Sequence, residues 1–473
     1  MKLQPEESAS DFSDVAGSFR DPLSRVIVQD QRVLRVFNDL GEKDRAHSWE
    51  FMTAQARAGR MIDSTLQEPA GAPDGAVSMV EHPRLDLITY PFEWSFGMLR
   101  DAAILQLDLV RDAAKAGVGL KDATPYNIQF VGSRPLFIDG GSFQKRVDSD
   151  PWFGYQQFCE LFLYPLMLRS YAGVPFQPIL RGSVNGIPVE HARGLLGPVR
   201  AKLQKGRLTH VLLHALAQRK MSDADAGVVD EVAESGMSTE VVLATVEKMR
   251  KLVAGLDIGI DESLWSDYTE RAHYDDDGLR AKGEFVASSL ESCGPIGHCW
   301  DVGCNDGMFS RIASEYSSRV LAMDADELVV DRLYQQLKRN PSEASGRITP
   351  LVVDLSTAGG GIGWRGTERP GLFDRSRPDA VIYLAVIHHL ALTFNIPVER
   401  QVEFLADVTP NLVIEFPGED DPMVTKLLRN KRAGIHDDYT THNFETALRR
   451  RFSIENQQVL EGGTRTIYFA RRV

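Results

Sequence analysis

Cysteine is scarce. The chain has four in 473 residues: Cys159, Cys293, Cys299 and Cys304. They form no CxxC pair and match no zinc spacing, so reduced thiols are the plain reading and no metal site is expected. No apolar run approaches the ~20 residues needed to span a bilayer. The opening "MKLQPEESASDFSD" is polar and acidic and lacks the apolar core of a secretory signal, so a cytoplasmic protein is expected. Basic charge is in deficit as well. A net charge of -13 argues against sequence-independent binding to nucleic acid or anionic membrane, since both need a basic face. No internal repeat is visible. What remains is an ordinary globular composition, 43% hydrophobic and 25% charged. At roughly 150 residues per domain the length calls for two or three domains.

The pattern of the first half is mixed. "RVIVQDQRVLRVF" alternates apolar residues around a polar turn at Gln29–Gln31, which predicts a hairpin. "HSWEFMTAQARAG" has helical spacing, "LDLITY" reads as a short strand, and "SFGMLRDAAILQLDLVRDAAKAG" as a long amphipathic helix closed by Gly117. Two short strands follow around "YNIQFVGSRPLFID", and residues 152–253 are mostly helical in pattern. His210 and His214 stand four apart there, as metal ligands can, but no acidic third partner accompanies them; packed or surface histidines are the simpler reading.

The pattern changes near Asp261. After an acidic, aromatic stretch and the helix "LRAKGEFVASSLESCG", strands and helices alternate: "HCWDVG", "SRVLAMDA", "RITPLVVDL", "DAVIYLAV" and "NLVIEFP". That alternation predicts a parallel sheet with helices on both faces. "STAGGGIGWRGTERPGLFDRSRP" interrupts it as a glycine-rich insert, and "FSIENQQVLEGGTRTIYFARR" closes the chain as an edge hairpin. The expected organisation is therefore α/β, with one domain over 1–255 and another over 256–473.

Ligands of such sheets bind at the carboxyl ends of the strands. "DVGCNDG" is a strand running into a turn and then a helix. Gly303 and Gly307 let backbone approach a ligand, and Asn305 tolerates the left-handed conformation better than most residues. The second strand ends in Asp324, placed to bind ribose hydroxyls. The third ends in Asp354, followed by Leu355, where a carboxylate can accept from an exocyclic amine of adenine. A dinucleotide would bring a pyrophosphate, which the acidic Asp301 before the turn disfavours. A cationic donor such as S-adenosylmethionine suits that acid better.

These segments, in this order, resemble the successive motifs of class I S-adenosylmethionine-dependent methyltransferases, over about 265–473. The resemblance implies a Rossmann-like seven-stranded sheet and S-adenosyl-L-methionine as cofactor. It places Gly303, Asn305 and Gly307 around the methionine end, beside the acid Asp301, with Asp324 on ribose and Asp354, followed by Leu355, at adenine. Asn305 departs from the usual middle glycine. "AVIHHL" follows the fourth strand, where the family faces its substrate. His389, or its neighbour His388, is a candidate base for an attacking nitrogen or oxygen, with packing as the plainer alternative. Glu415, at the end of "NLVIEFP", is expected to face the same cleft, as a contact for a cationic group or as a solvated acid.

In the first half Asp122, Asn127 five positions on, and Asp139 before Gly140 follow the spacing of a phosphotransferase catalytic loop. The region resembles the protein-kinase-like and aminoglycoside-phosphotransferase-like fold, an α+β domain. "LKD" stands where HRD or HGD is usual, and Arg35 replaces the strand lysine, whose compact charge it cannot copy. The order of the two halves resembles a group of bacterial nodulation-protein-like methyltransferases. The expectation is an enzyme that methylates N or O of a small or medium-sized acceptor, its first half shaping the acceptor site. The alternatives are a phosphotransferase, or a scaffold, whose second half senses S-adenosylmethionine.

Overall fold

The computed structural model describes residues 13–69, 73, 75–197, 206, 208–213, 238–258 and 276–473. In the first half, β1 (Ser13–Asp14), β2 (Ser24–Gln29), β3 (Arg32–Phe37), β4 (Thr65–Gln67) and β5 (Ser78–His82) form an antiparallel sheet in the order β1-β2-β3-β5-β4. The expected hairpin is β2–β3, with Ile27 opposite Leu34 and Asp30 at positive φ in its turn. The helix Asp39–Arg57 crosses from β3 to β4, and Asn38 starts it by accepting from the Gly41 N–H.

Leu85–Tyr90, expected as a strand, is not one. The Thr89 N–H goes to the Gln129 side chain at 2.7 Å, and the Gln129 amide returns to the Thr89 carbonyl at 3.1 Å. With its polar groups satisfied by a side chain, this segment needs no neighbouring strand. The long helix was expected and is present: Phe96–Lys115, ended by Gly117 at φ 70°. Its apolar stripe, including Leu99, Ala103, Leu107 and Val110, is buried. Two short ribbons follow: β6 (Val118–Leu120) with β9 (Phe143–Lys145), and β7 (Ile128–Val131) with β8 (Arg134–Phe137).

The second half holds β10 (Ile296–Val302), β11 (Ser317–Asp324), β12 (Ile348–Val352), β13 (Ala380–Tyr383), β14 (Asn411–Pro417), β15 (Phe452–Val459) and β16 (Arg465–Arg472). Their order is β12-β11-β10-β13-β14-β16-β15, with five parallel strands and an antiparallel pair at one edge. This is the seven-stranded sheet that the resemblance implied. The direction of strand addition reverses beside β10, between β11 and β13, so the crevice opens above the carboxyl end of β10.

The halves are packed together. One apolar cluster runs from Met52 to Ala470 and takes side chains from both. The helix Glu327–Arg339, which follows β11, lies along Phe96–Lys115, with the Phe130 and Tyr334 rings 6.0 Å apart edge to face. Asp331 accepts from Ser95 Oγ at 2.7 Å and from the Gly97 N–H at 2.6 Å, and Asp101 accepts from Tyr334 at 2.6 Å. The glycine-rich insert reaches furthest into the first half. Arg20 clasps Glu368 with both of its forks, at 2.5 and 2.7 Å. Arg369 lies 4.7 Å above the Tyr126 ring and Arg375 4.4 Å above the Tyr90 ring. Arg375 also pairs with buried Glu93 and donates to the Ile88 carbonyl.

Candidate functional site

The turn after β10 is built as its residue types demand. Gly303, Asn305 and Gly307 all have positive φ, at 73°, 46° and 81°. A Cβ on Gly303 would stand 2.6 Å from Val386 Cγ2, and one on Gly307 would stand 2.5 Å from Leu333 Cδ1. The nearest atoms are thus the chain's own. The glycines allow the segment after β13 and the helix after β11 to close over the turn.

The acids at the strand ends hold this turn in place. Asp324 accepts from the Asn305 N–H at 3.2 Å and from the Asp326 N–H at 3.0 Å. Burial raises its pKa, against those backbone bonds. Asp301 is 2% exposed and accepts from the Ser310 hydroxyl at 2.5 Å. Burial lifts its carboxyl to about 7, with Ser310 opposing and the nearby Asp324 adding. An acid so placed is half-protonated near neutrality and gains from any cation that approaches it. Asp354, after β12, accepts from the Ser356 N–H at 2.9 Å and hydroxyl at 2.6 Å, both on Oδ1. Leu355 packs partly buried against the core.

On the other side of β10, Ala385 turns at φ 55° into the short helix Ile387–Leu392. It carries both histidines, their ring centroids 4.0 Å apart. His388 is fully buried, and neither ring nitrogen has a hydrogen-bond partner among the described residues. His389 is partly exposed. Burial, and then the Arg465 charge, pull His389 down to about 4; burial and His389 push His388 down further. Both imidazoles are therefore neutral at every physiological pH. A base with an ordinary pKa, titrating near 6–7, is not what the burial of this pair allows.

Glu415 does not stand as a solvated acid. It is wholly buried, takes the Lys282 ammonium at 2.5 Å and receives Arg465 at 3.2 Å. Arg465 also forks onto Asp421, at 2.7 and 3.1 Å. Two cations and two carboxylates thus close into a chain of charges, and Glu415 is spent inside it. The reading of the sequence missed Lys282 and Arg465, though a signal was there. Lys282 shares the apolar stripe of the helix Asp276–Ser292 with Phe285, Val286 and Leu290. Arg465 alternates with buried Ile467 and Phe469 in β16.

In the first half, the residues singled out by spacing do meet. Arg35 pairs with Asp139 at 2.7 Å, Asn127 donates to Asp139 at 3.0 Å, and the Ser142 hydroxyl joins Asp139 to Asp122. Burial works to raise Asp139, but Arg35 and the Ser142 hydroxyl hold it below the usual carboxylate range. Burial, with the Asp139 charge, raises Asp122. Among the described residues no three His, Cys, Asp or Glu side chains are grouped to hold a metal ion. His210 bonds Tyr155 through Nδ1 at 2.8 Å; His214 and residues 261–275 lie outside the described residues.

Comparison with solved structures gives only remote likenesses. The N-methyltransferase NodS from Bradyrhizobium japonicum WM9 is 13% identical, with a TM-score of 0.31, over 42% of this chain and 98% of that one. Magnesium protoporphyrin IX methyltransferase (ChlM) from Synechocystis PCC 6803, with bound SAH, is 20% identical, with a TM-score of 0.30, over 42% and 84%. No family model matches the chain. A curated relative does match it nearly end to end. The nodulation protein NoeA of Rhizobium meliloti (strain 1021) is 32% identical over 463 residues, which is 97% of this chain and 96% of that one. With that identity over almost the whole of both chains, the protein belongs to the family of the nodulation protein NoeA.

Proposed function

We propose that the second half transfers a methyl group from S-adenosylmethionine to a nitrogen or oxygen of a small or medium-sized acceptor. One observation carries the reading. Asp301, Asp324 and Asp354 stand at or just beyond the carboxyl ends of three neighbouring parallel strands, around a positive-φ turn. The row offers acids for an ammonium, a ribose and a purine amine, and its acidity opposes a phosphate. The fit is supported by Asp301, a buried acid whose carboxyl burial raises to about 7.

S-adenosylmethionine supplies an electrophilic methyl on a sulfonium, so the chain's share is positioning, desolvation and proton transfer. Asp301 balances the donor's ammonium, and Asp324 and Asp354 fix its nucleoside. His389, neutral and partly exposed, takes the acceptor's proton. Glu415 keeps Lys282 and Arg465 in place beside it. The first half shapes the site; its Asp139 is already paired with Arg35, which argues against a metal-nucleotide role.

Calorimetric titration of the full chain with S-adenosylmethionine and with Mg-ATP tests this. Donor binding without nucleotide binding is expected, and the opposite result overturns the proposal. Asp324→Ala should weaken the donor by roughly 1.5–3 kcal/mol, the value of a hydrogen bond to a charged group. An unchanged affinity in a folded variant removes Asp324 from the site.

Asp301 adds a pH signature. Its folded pKa of about 7 lies above the unfolded value of ~3.9, so the unliganded fold loses stability as pH rises from about 4 to about 7. A bound ammonium favours the ionised acid. Donor affinity should therefore rise between about pH 5.5 and 7.5, with release of a proton on binding. Asp301→Asn should abolish both effects; a pH-independent affinity in the wild-type chain would sink the assignment.

A further inference from the structure

A cleft of about 800 Å³ lies between the halves. The second half contributes Ala325 and Asp326, just past β11, Val353 and Asp354, just past β12, and part of the insert. The opposite wall is Phe92, Pro175 and Pro178 of the first half. His389 does not line it, so it lies away from the group that meets the acceptor. Much of its wall is flat and apolar; of its charged groups, Glu93 pairs with Arg375 and Glu327 with Arg169, while Asp354 faces the cleft from just past β12.

Two polar atoms at the cleft are not used by the fold. Asp354 spends Oδ1 on Ser356, and among the described residues none donates to its Oδ2. Arg169 is 5% exposed and binds Glu327 through Nε at 2.5 Å, yet its buried Nη1 has no hydrogen-bond partner among the described residues. An acceptor and a donor left open beside apolar walls match the edge of a purine, which offers an amine and ring nitrogens.

We propose that this cleft is the purine end of the donor site, with its outer wall supplied by the first half of the chain. The inference rests on the donor reading above. It goes further in assigning Phe92 and Pro178 as residues that decide how much bulk the purine amine may carry. A purine alone does not fill the space, since the volume lies toward the upper end of the ~300–1,000 Å³ of small-molecule sites. The pocket is therefore open beyond the amine, and a nucleoside enlarged there is accepted.

The test uses the full chain, S-adenosylhomocysteine and its N6-benzyl derivative, with calorimetry on the wild type and on Pro178→Trp. Pro178 is exposed at the cleft mouth, so the tryptophan fills the cleft without entering the core. The wild type should bind both ligands with similar affinity. Pro178→Trp, with an unchanged unfolding temperature, should lose at least about tenfold for the benzyl derivative, the cost of forcing bulk into filled space. Wild-type rejection of the benzyl derivative alone overturns the inference and leaves the donor reading standing. So does a Pro178→Trp chain that binds both ligands as the wild type does. A wild type that binds neither ligand overturns both readings. Pro175→Trp, on the same wall, repeats the test where Pro178→Trp fails to fold.

Discussion

Glu415→Ala will cost the fold about 3–5 kcal/mol, the usual penalty for stripping one partner from a buried ion pair. Glu415 has no exposed surface, and its removal leaves the Lys282 ammonium, 4% exposed, without the carboxylate it touches. Arg465 keeps Asp421 and suffers less. Chemical denaturation measures the loss directly. The pairing makes a second, sharper claim: Lys282→Met combined with Glu415→Leu should recover most of the loss, because no buried charge is then left alone. A double variant as unstable as Glu415→Ala would mean that the site needs shape rather than charge balance.

His389→Ala should lower kcat by about 10²–10⁴-fold and leave donor affinity almost unchanged, as expected for a general base distant from the nucleoside contacts. The wild-type rate should hold on the acid side down to about pH 5 and fall only toward pH 4, where the buried imidazole protonates. Stability follows the same direction. A folded pKa below the ordinary ~6.5 means that the chain loses stability as pH falls from 6.5 toward 4, so rates must be read where the fold holds. His388→Ala separates the neighbours. A fully buried ring with no partner on either nitrogen among the described residues should show its loss in unfolding temperature rather than in kcat. If both variants keep wild-type rates, proton removal belongs to another group.

The five parallel strands of the second half were legible because each is a short apolar run, and the closing hairpin because Gly462 and Gly463 mark the turn between its strands. Asn305 was readable for the same reason: its type names its backbone conformation, and φ is 46°. Leu85–Tyr90 was not readable, because its composition suits a strand and only Gln129, forty positions on, decides otherwise. The fate of Glu415 was equally hidden. An acid at a strand end looks the same whether it meets a ligand or two cations, and those cations come from 133 residues before and 50 after. The pKa of His389 followed suit, since burial by distant elements sets it. Local signals gave positions; partners far along the chain set electrostatics.

The insert also sets a schedule for folding. Glu93, Tyr90, Tyr126 and Arg20 leave the ribosome long before Glu368, Arg369 and Arg375 are joined to the chain. At roughly 5–20 residues per second, the first half waits several seconds or more after its own synthesis for the guanidinium that pairs with Glu93. Until then Glu93 and Arg20 lack the insert residues they pair with, and the surface that will receive the helix Glu327–Arg339 stays open to water. The first half is thus a provisional structure during translation. It is completed by a segment encoded more than two hundred residues downstream, which makes a nascent chain stalled before Arg375 the natural client for chaperones and proteases.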